Sequence, residues 1–173
     1  LSGSATTNGK LLAEQIGGQI FIDTWGLIWP GRPDKAADYA QAAASVSHDG
    51  EGLYGARFIA SCIAQAFCER DIYQVVERAL EEIPSESLYA QVSRAVIAHH
   101  QKHPEDWESC LKMLHRDWGY DKYGGGCHII PNAGVCVLAL VYGAGDFNRT
   151  VEIATMCGWD TDCNAGNVGT ILG

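Results

Sequence analysis

Ile72-Tyr73-Gln74-Val75-Val76-Glu77-Arg78-Ala79-Leu80-Glu81-Glu82-Ile83 is the stretch from which the fold class is read. Its apolar residues Ile72, Val75, Val76, Ala79, Leu80 and Ile83 recur at helical spacing and form one stripe, with the polar residues opposite. Pro84 then stops the helix, since it lacks the N–H that the ladder needs. Outward from there, Trp107, Leu111, Leu114 and Trp118 share a face of a second helix. Pro104-Glu105-Asp106 opens that helix with acid in its first turn, and Gly119 closes it. The stretch from Leu53 to Phe67 repeats Ala56, Ala60 and Ala64, which suits close helix–helix approach. Asp34 to Ser47 follows Pro33 and is rich in Ala, while Asn8 to Trp25 and Leu88 to His99 fit the same template. Asn132 to Tyr142 and Phe147 to Cys157 are apolar on nearly all sides and belong at the centre of a bundle. No stretch shows the period of two that marks strands. With no repeat and no linker, the expectation is one all-α unit.

Composition narrows the function classes. The chain has 173 residues, 12 basic against 21 acidic side chains, and a net charge of -9. Hydrophobic content of 47% and charged content of 19% exclude a disordered chain. The acidic balance argues against nonspecific nucleic-acid binding, which needs clustered Lys and Arg. No apolar stretch approaches the ~20 residues of a membrane-spanning helix. The 7 cysteines include no C-x-x-C pair and sit mostly among apolar neighbours, so they are expected to be reduced, mostly buried and cytoplasmic. The chain begins at Leu1 and stops at Thr170-Ile171-Leu172-Gly173 inside a helical pattern. The expectation is therefore a single partial domain over 1–173, incomplete at both ends.

The chemistry concentrates in Met156-Cys157-Gly158-Trp159-Asp160-Thr161-Asp162-Cys163-Asn164-Ala165-Gly166. Gly158 suits the end of one helix, and the next begins near Asp162 or Cys163. Carboxylates two residues apart cannot share a helix face, but across a turn at a helix start both can converge on one point. There they repel unless a cation lies between them, and hard oxygen ligands favour magnesium or calcium. The competing reading makes Asp162 an N-cap and Asp160 a solvated turn acid. Cys163, near a helix N-terminus, could also favour its thiolate, although no partner base lies nearby in sequence.

The Gly-x-Asp-Thr-Asp string at Gly158–Asp162, followed by small residues in an apolar helix, resembles the closing metal motif of the ADP-ribosylglycohydrolase family. Other segments match in the expected order. Ser2-Gly3-Ser4-Ala5-Thr6-Thr7-Asn8-Gly9 resembles the loop that holds the diphosphate and distal ribose, one residue longer than the common pattern. Ala44-Ser45-Val46-Ser47-His48-Asp49-Gly50 resembles the Ser/Thr-His segment, and Pro131-Asn132-Ala133 through Tyr142-Gly143-Ala144-Gly145-Asp146-Phe147 leads into the acidic motif as in relatives. The resemblance covers nearly the whole chain and implies a compact orthogonal helical bundle.

It also implies roles. Asp160 and Asp162 would be catalytic and hold magnesium, with Cys163 standing where relatives place a threonine ligand. A thiol suits a hard cation less well. Gly3, Ser4, Asn8, Gly9 and His48 would bind substrate, with glycines and a helix N-terminus facing phosphate oxygens. A capping or packing role for His48 is equally open, and packing is favoured for His128. His99, His100, His103 and His115 read as solvated, Trp25, Trp29, Trp107 and Trp118 as anchors in or near the core, and Trp159 as a neighbour of the site. The implied reaction is magnesium-dependent hydrolysis of the bond joining ADP-ribose to an acceptor, an ADP-ribosylated protein included, with a pair of magnesium ions in the complete site. The family's upstream Gly-Asp helix and Thr-Asp-Asp run have no counterpart here: Asp23-Thr24 is followed by Trp25, Asp71 stands alone, and Asp121 precedes Lys122. This chain alone is expected to bind magnesium weakly and not to turn over substrate. A non-catalytic relative, a hydrolase of another ribosyl bond, and a helical interaction module stay open.

Overall fold

Over residue 7 and residues 9–173, which the computed structural model describes, the chain is helical. In chain order it forms α1 (Gly17–Ile20), α2 (Asp23–Leu27), α3 (Pro33–Ala44), α4 (Glu51–Ala66) and α5 (Ile72–Leu80). There follow α6 (Leu88–Lys102), α7 (Trp107–Trp118), α8 (Ile129–Gly143), α9 (Phe147–Met156) and α10 (Thr161–Leu172). A 3-10 turn at Tyr120–Lys122 separates α7 from α8. No strand occurs among the described residues, and an isolated antiparallel bridge joins Gln15 to His128.

Local chemistry sets the helix starts. Asp71, Ser87, Asp106 and Asp146 each accept a bond from a backbone N–H in the first turn of the helix that follows. Each satisfies a donor that the ladder cannot, worth about 1 kcal/mol. Two glutamates do the same across elements. Glu14 accepts from the Glu51 N–H that opens α4. Glu51 in turn accepts from Leu88 and Tyr89 N–H at the start of α6, both at 2.9 Å.

Packing follows polarity. α8, apolar on all sides, is buried at every residue and forms the axis of the molecule. α6, α7, α9 and α10 pack around it, while α1, α2, α3 and α5 pack on α4, which also touches α8. The stripe on α5 is buried as its spacing predicts. Small residues permit the close approaches: a Cβ at Gly134 of α8 would stand 2.7 Å from a methyl of Leu114 on α7.

The first expected helix is broken. Instead of one helix from Asn8 to Trp25, the chain makes a turn in which Leu12 and Ala13 N–H bond to Gly9 O, and then the short α1 and α2. The cause lies 112 residues away. Ile16 N–H donates to Cys127 O, Ile129 N–H donates to Glu14 O, and Gln15 Oε1 accepts from Cys127 N–H. Backbone groups committed to that loop cannot also serve a helical ladder.

The anchoring tryptophans behave as expected: Trp25 and Trp29 pack on Tyr39, and Trp107 and Trp118 lie against the core. His103 and His115 are exposed, but His99 and His100 are not solvated. His99 Nδ1 lies 3.2 Å from Tyr142 Oη, and His100 pairs with Tyr73 Oη and packs edge-on against Tyr142. Tyrosines from α5 and α8 cover what reads along α6 as a polar face.

Candidate functional site

α9 ends at Met156, and α10 begins at Thr161 after a turn built on two left-handed residues, Gly158 (φ 74°) and Trp159 (φ 56°). Glycine takes that conformation freely, whereas for Trp159 it is strained by about 1 kcal/mol or more. The Trp159 ring is held between His115 and Tyr120, with ring centres 4.5 and 5.2 Å away. This double turn delivers Asp160 to the N-cap position of α10.

Asp160 does not cap. Its backbone carbonyl accepts the first helical bond from Asn164 N–H, but its side chain accepts from no backbone N–H of the first turn. The carboxylate is turned instead toward the loop before α8, where Cys127 Sγ donates to Oδ2 at 2.8 Å. Asp162 lies within the first turn and is exposed, so neither acid fills the simple capping role. One carboxylate oxygen each from Asp160 and Asp162 and the sulfur of Cys163 lie within 4.8 Å of one another.

The electrostatics are those of a crowded acidic turn. Burial would raise the Asp160 carboxyl, but hydrogen bonds with Cys127, Cys163 and Asp162 outweigh it and hold it below its ordinary value. The thiols move the other way. Burial, reinforced by the Asp160 carboxylate, pushes Cys127 up to about 11 and Cys163 up to about 12. Burial first, and the Asp160 carboxylate after it, disfavour a thiolate at Cys163, whose thiol is hydrogen-bonded with that carboxylate. All the described cysteines are free; Cys62, Cys110, Cys136 and Cys157 are buried, Cys127 and Cys163 half-buried, and Cys68 exposed.

A buried polar network supports the turn from behind. Asn164 Nδ2 on α10 donates to Asn132 Oδ1 on α8 at 2.9 Å. Asn132 Nδ2 donates to Tyr120 Oη at 2.7 Å and to His128 O at 2.9 Å, and lies 3.6 Å from Cys127 Sγ. The network thus joins α8, α10 and the 120–128 loop where they meet at Asp160.

A cavity of about 200 Å³ opens beside the carboxylates, lined by Ile20, Asp23, Asp162, Cys163, Gly166 and Asn167. Asp23, which matches no acidic motif in the sequence, belongs to this site through space. Thr170 Oγ1 donates to its Oδ2 at 3.0 Å and Asn167 Nδ2 to its Oδ1 at 3.4 Å. Burial raises its carboxyl above the ordinary value, with those two bonds opposing.

The expected substrate-binding residues divide. Gly3, Ser4 and Asn8 lie outside the described residues. Gly9 anchors the turn that precedes Ala13, and Ala13 O accepts from Asp49 N–H, which places His48 beside that turn. His48 is half-buried, with Nδ1 2.8 Å from Ser47 Oγ and its ring against Gly17 of α1. Burial lowers its pKa. It does not line the cavity at Asp162. His128 is buried, stacked on Tyr123 at 4.4 Å, and caps α8 through Nδ1, a packing role. Trp159 does border the site. Sequence reasoning missed Asp23, Cys127, Tyr120 and Asn164, which carry no local pattern and are gathered only by tertiary packing.

The donor chemistry permits a cation. Two carboxylates that would otherwise repel are oxygen ligands suited to magnesium, while the sulfur of Cys163 is not. A family model described as ADP-ribosylglycohydrolase matches residues 2–173. No curated protein and no solved structure was found to match the chain.

Proposed function

The chain belongs to the ADP-ribosylglycohydrolase family, a family of glycosidic-bond hydrolases, and on that premise we propose magnesium-dependent hydrolysis of the bond joining ADP-ribose to an acceptor. The observation that carries the proposal is the Asp160 carboxylate, which leaves its own helix uncapped and stands beside Asp162 at the rim of a polar cavity. Asp160 and Asp162 would hold magnesium. Bound there, the ion would supply polarisation and orientation of oxygen ligands.

This chain's own residues contribute the rest. A glycosidic bond to ribose breaks with oxocarbenium character, which the carboxylates of Asp160 and Asp162 stabilise as positive charge develops on the sugar. Asp23, which lines the same cavity, would accept from a sugar hydroxyl. A cation held by Asp160 and Asp162 would supply the local positive field that an anionic diphosphate needs in place of a basic patch, which reconciles the net charge of -9 with the ligand. The proposed substrate is an ADP-ribose-containing molecule or an ADP-ribosylated protein. No helix among the described residues is long and apolar enough to cross a membrane. The free cysteines support placing the protein in the cytoplasm. With Asp160, Asp162 and Asp23 the only carboxylates we assign to this site, residues 1–173 alone are proposed to hold magnesium weakly.

The test is release of ADP-ribose from ADP-ribosylated arginine and serine peptides by the full-length protein in magnesium. Asp160→Asn and Asp162→Asn should each lower kcat/KM by about 100-fold or more while circular dichroism stays unchanged. Unchanged turnover in both variants would refute the assignment. ADP-ribose binding without release would point to a non-catalytic relative.

A further inference from the structure

Behind Asp23 runs a chain of buried side chains that the hydrolytic reading does not use. Tyr89 Oη on α6 donates to Gln19 Oε1 on α1 at 3.0 Å. Gln19 Nε2 donates to Asn167 Oδ1 on α10 at 3.2 Å, and Asn167 Nδ2 donates to Asp23 Oδ1 at 3.4 Å. Tyr89 and Gln19 are fully buried and Asn167 nearly so. We propose that Gln19 is a positioning residue which, acting through Asn167, holds the Asp23 carboxylate in the rotation from which it accepts a ligand hydroxyl in the cavity. This rests on the reading that the cavity takes a sugar of ADP-ribose, and adds what aims the carboxylate.

The bonds have one direction. Burial keeps the Tyr89 phenol protonated at one end, and at the other a carboxylate can only accept. The Asn167 amide, between them, could face either way by shape alone. Turned over, its oxygen would meet two acceptors, the Asp23 carboxylate and the Gln19 backbone carbonyl, to which Nδ2 now donates at 3.3 Å. Gln19 therefore fixes Asn167 twice, with its carbonyl accepting and its side chain donating. Thr170 Oγ1 donates to the other oxygen of Asp23 at 3.0 Å, so both carboxylate oxygens are tethered from α10. The lone pairs that remain are those a ligand hydroxyl can use.

Packing alone does not ask for a glutamine here. Gln19 belongs to a helix of 4 residues that lies directly on α4, where a Cβ at Gly18 would run into the Gly52 carbonyl. A Cβ at Gly55 of α4 would stand 3.2 Å from Gln19 Cβ and 3.1 Å from Tyr89 Cε2, so the pair is closely packed. A methionine of similar length would fill that space with no amide to satisfy. What the glutamine adds is orientation, since a fully satisfied buried polar network is rigid. That rigidity runs from α6 through α1 to α10 and ends on Asp23.

Titration calorimetry of ADP-ribose into the full-length protein in magnesium tests the assignment. Asp23→Ala should weaken binding by about 10- to 100-fold and Gln19→Met by about 3- to 10-fold. In the double variant the loss should match Asp23→Ala alone within about twofold, because nothing is left to position. Gln19→Met also strands the buried Tyr89 hydroxyl and should lower Tm. Combining it with Tyr89→Phe replaces both partners by apolar groups, which should restore Tm but not affinity. That pair keeps the test decisive where Gln19→Met alone folds poorly. Wild-type affinity in Gln19→Met or in Asp23→Ala overturns the proposal. So does a Gln19→Met loss that persists in full on top of Asp23→Ala, or an affinity that returns together with Tm. Each of these leaves the hydrolase standing. No ADP-ribose binding by the wild-type protein overturns the hydrolytic reading, and the role of Gln19 with it.

Discussion

Asn132→Ala is the perturbation that tests whether the site is held by its buried network. Asn132 is fully buried. Its Nδ2 donates at 2.7 Å to Tyr120 Oη and at 2.9 Å to His128 O, and its Oδ1 accepts from Asn164 Nδ2 at 2.9 Å. Truncation leaves Asn164, itself fully buried, with a donor facing a void, and removes the donor to His128 O. Tyr120 is half-buried and can turn to water. An orphaned buried polar group costs about 1–3 kcal/mol, and the cavity left behind acts in the same direction, so the variant should lose about 2–4 kcal/mol. For a chain of this size, about 3 kcal/mol lowers Tm by about 6–12 °C. Urea unfolding followed by circular dichroism reads this directly, as a lower midpoint with unchanged slope. Asn148→Ala on the exposed start of α9 is the control, expected within about 0.5 kcal/mol of wild type. An Asn132→Ala midpoint indistinguishable from that control would refute the claim that this network carries the turn.

Three further outcomes follow from the same structure. Thr150 Oγ1 is buried with no hydrogen-bond partner among the described residues, so Thr150→Val should stabilise the protein by about 1 kcal/mol in the same titration. A Cβ at Gly143, where α8 passes α9, would stand 2.8 Å from Thr150 Cβ and 2.9 Å from its Cα. Gly143→Ala should therefore cost about 1–3 kcal/mol, and a variant as stable as wild type would show that α9 can move away. Burial lowers the pKa of His128 from 6.5 against the opposing pull of Glu14. The unfolded chain then takes up its proton first, so the stability from neutral His128 is complete above pH 6.5 and is lost as the pH falls below it. His48, His99 and His100 are lowered as well, by burial. The midpoint should fall between pH 7.5 and 5, and His128→Gln should fall less steeply; parallel profiles would refute the assignment.

What the sequence revealed and what it hid separate along physical lines. The stripe at Ile72–Ile83 and the all-round apolarity of Asn132–Tyr142 are properties of single helices, and both appear in the fold as the spacing requires. The acid at the start of α7 is of the same local kind. The broken start of the chain is not. Residues 9–25 carry a helical apolar pattern, yet Glu14, Gln15 and Ile16 commit their polar groups to Cys127 and Ile129. The two acids of the turn were legible because they lie two residues apart in sequence. Asp23 and Cys127 were not, because Asp23 meets Thr170 across 147 residues and Cys127 meets Asp160 across 33. His99 and His100 were misread for the same reason, since their tyrosine partners come from other helices.

The turn at residues 158–163 is where local preference and the observed structure disagree, and the disagreement has a direction. α5, α6, α7 and α9 all spend an Asp or Ser side chain on their first turn, so this chain caps helices with acids as a matter of course. At α10 an Asp stands in the capping position and the bond is not made. The forgone cap is worth about 1 kcal/mol, and the left-handed Trp159 adds about 1 kcal/mol or more of strain. A turn selected for stability alone would bend Asp160 back onto the N–H groups of α10 and place glycine at 159. What opposes that relaxation is visible. His115 and Tyr120 grip the Trp159 ring, and Asn132 and Asn164 fix the two helices between which the turn passes. The surrounding structure thus holds the Asp160 carboxylate away from the backbone N–H groups of α10 and toward Asp162 and the thiols of Cys127 and Cys163. A chain that carries about 2 kcal/mol of local cost to keep a carboxylate there has the energetic signature of a ligand-binding turn rather than of a helix start.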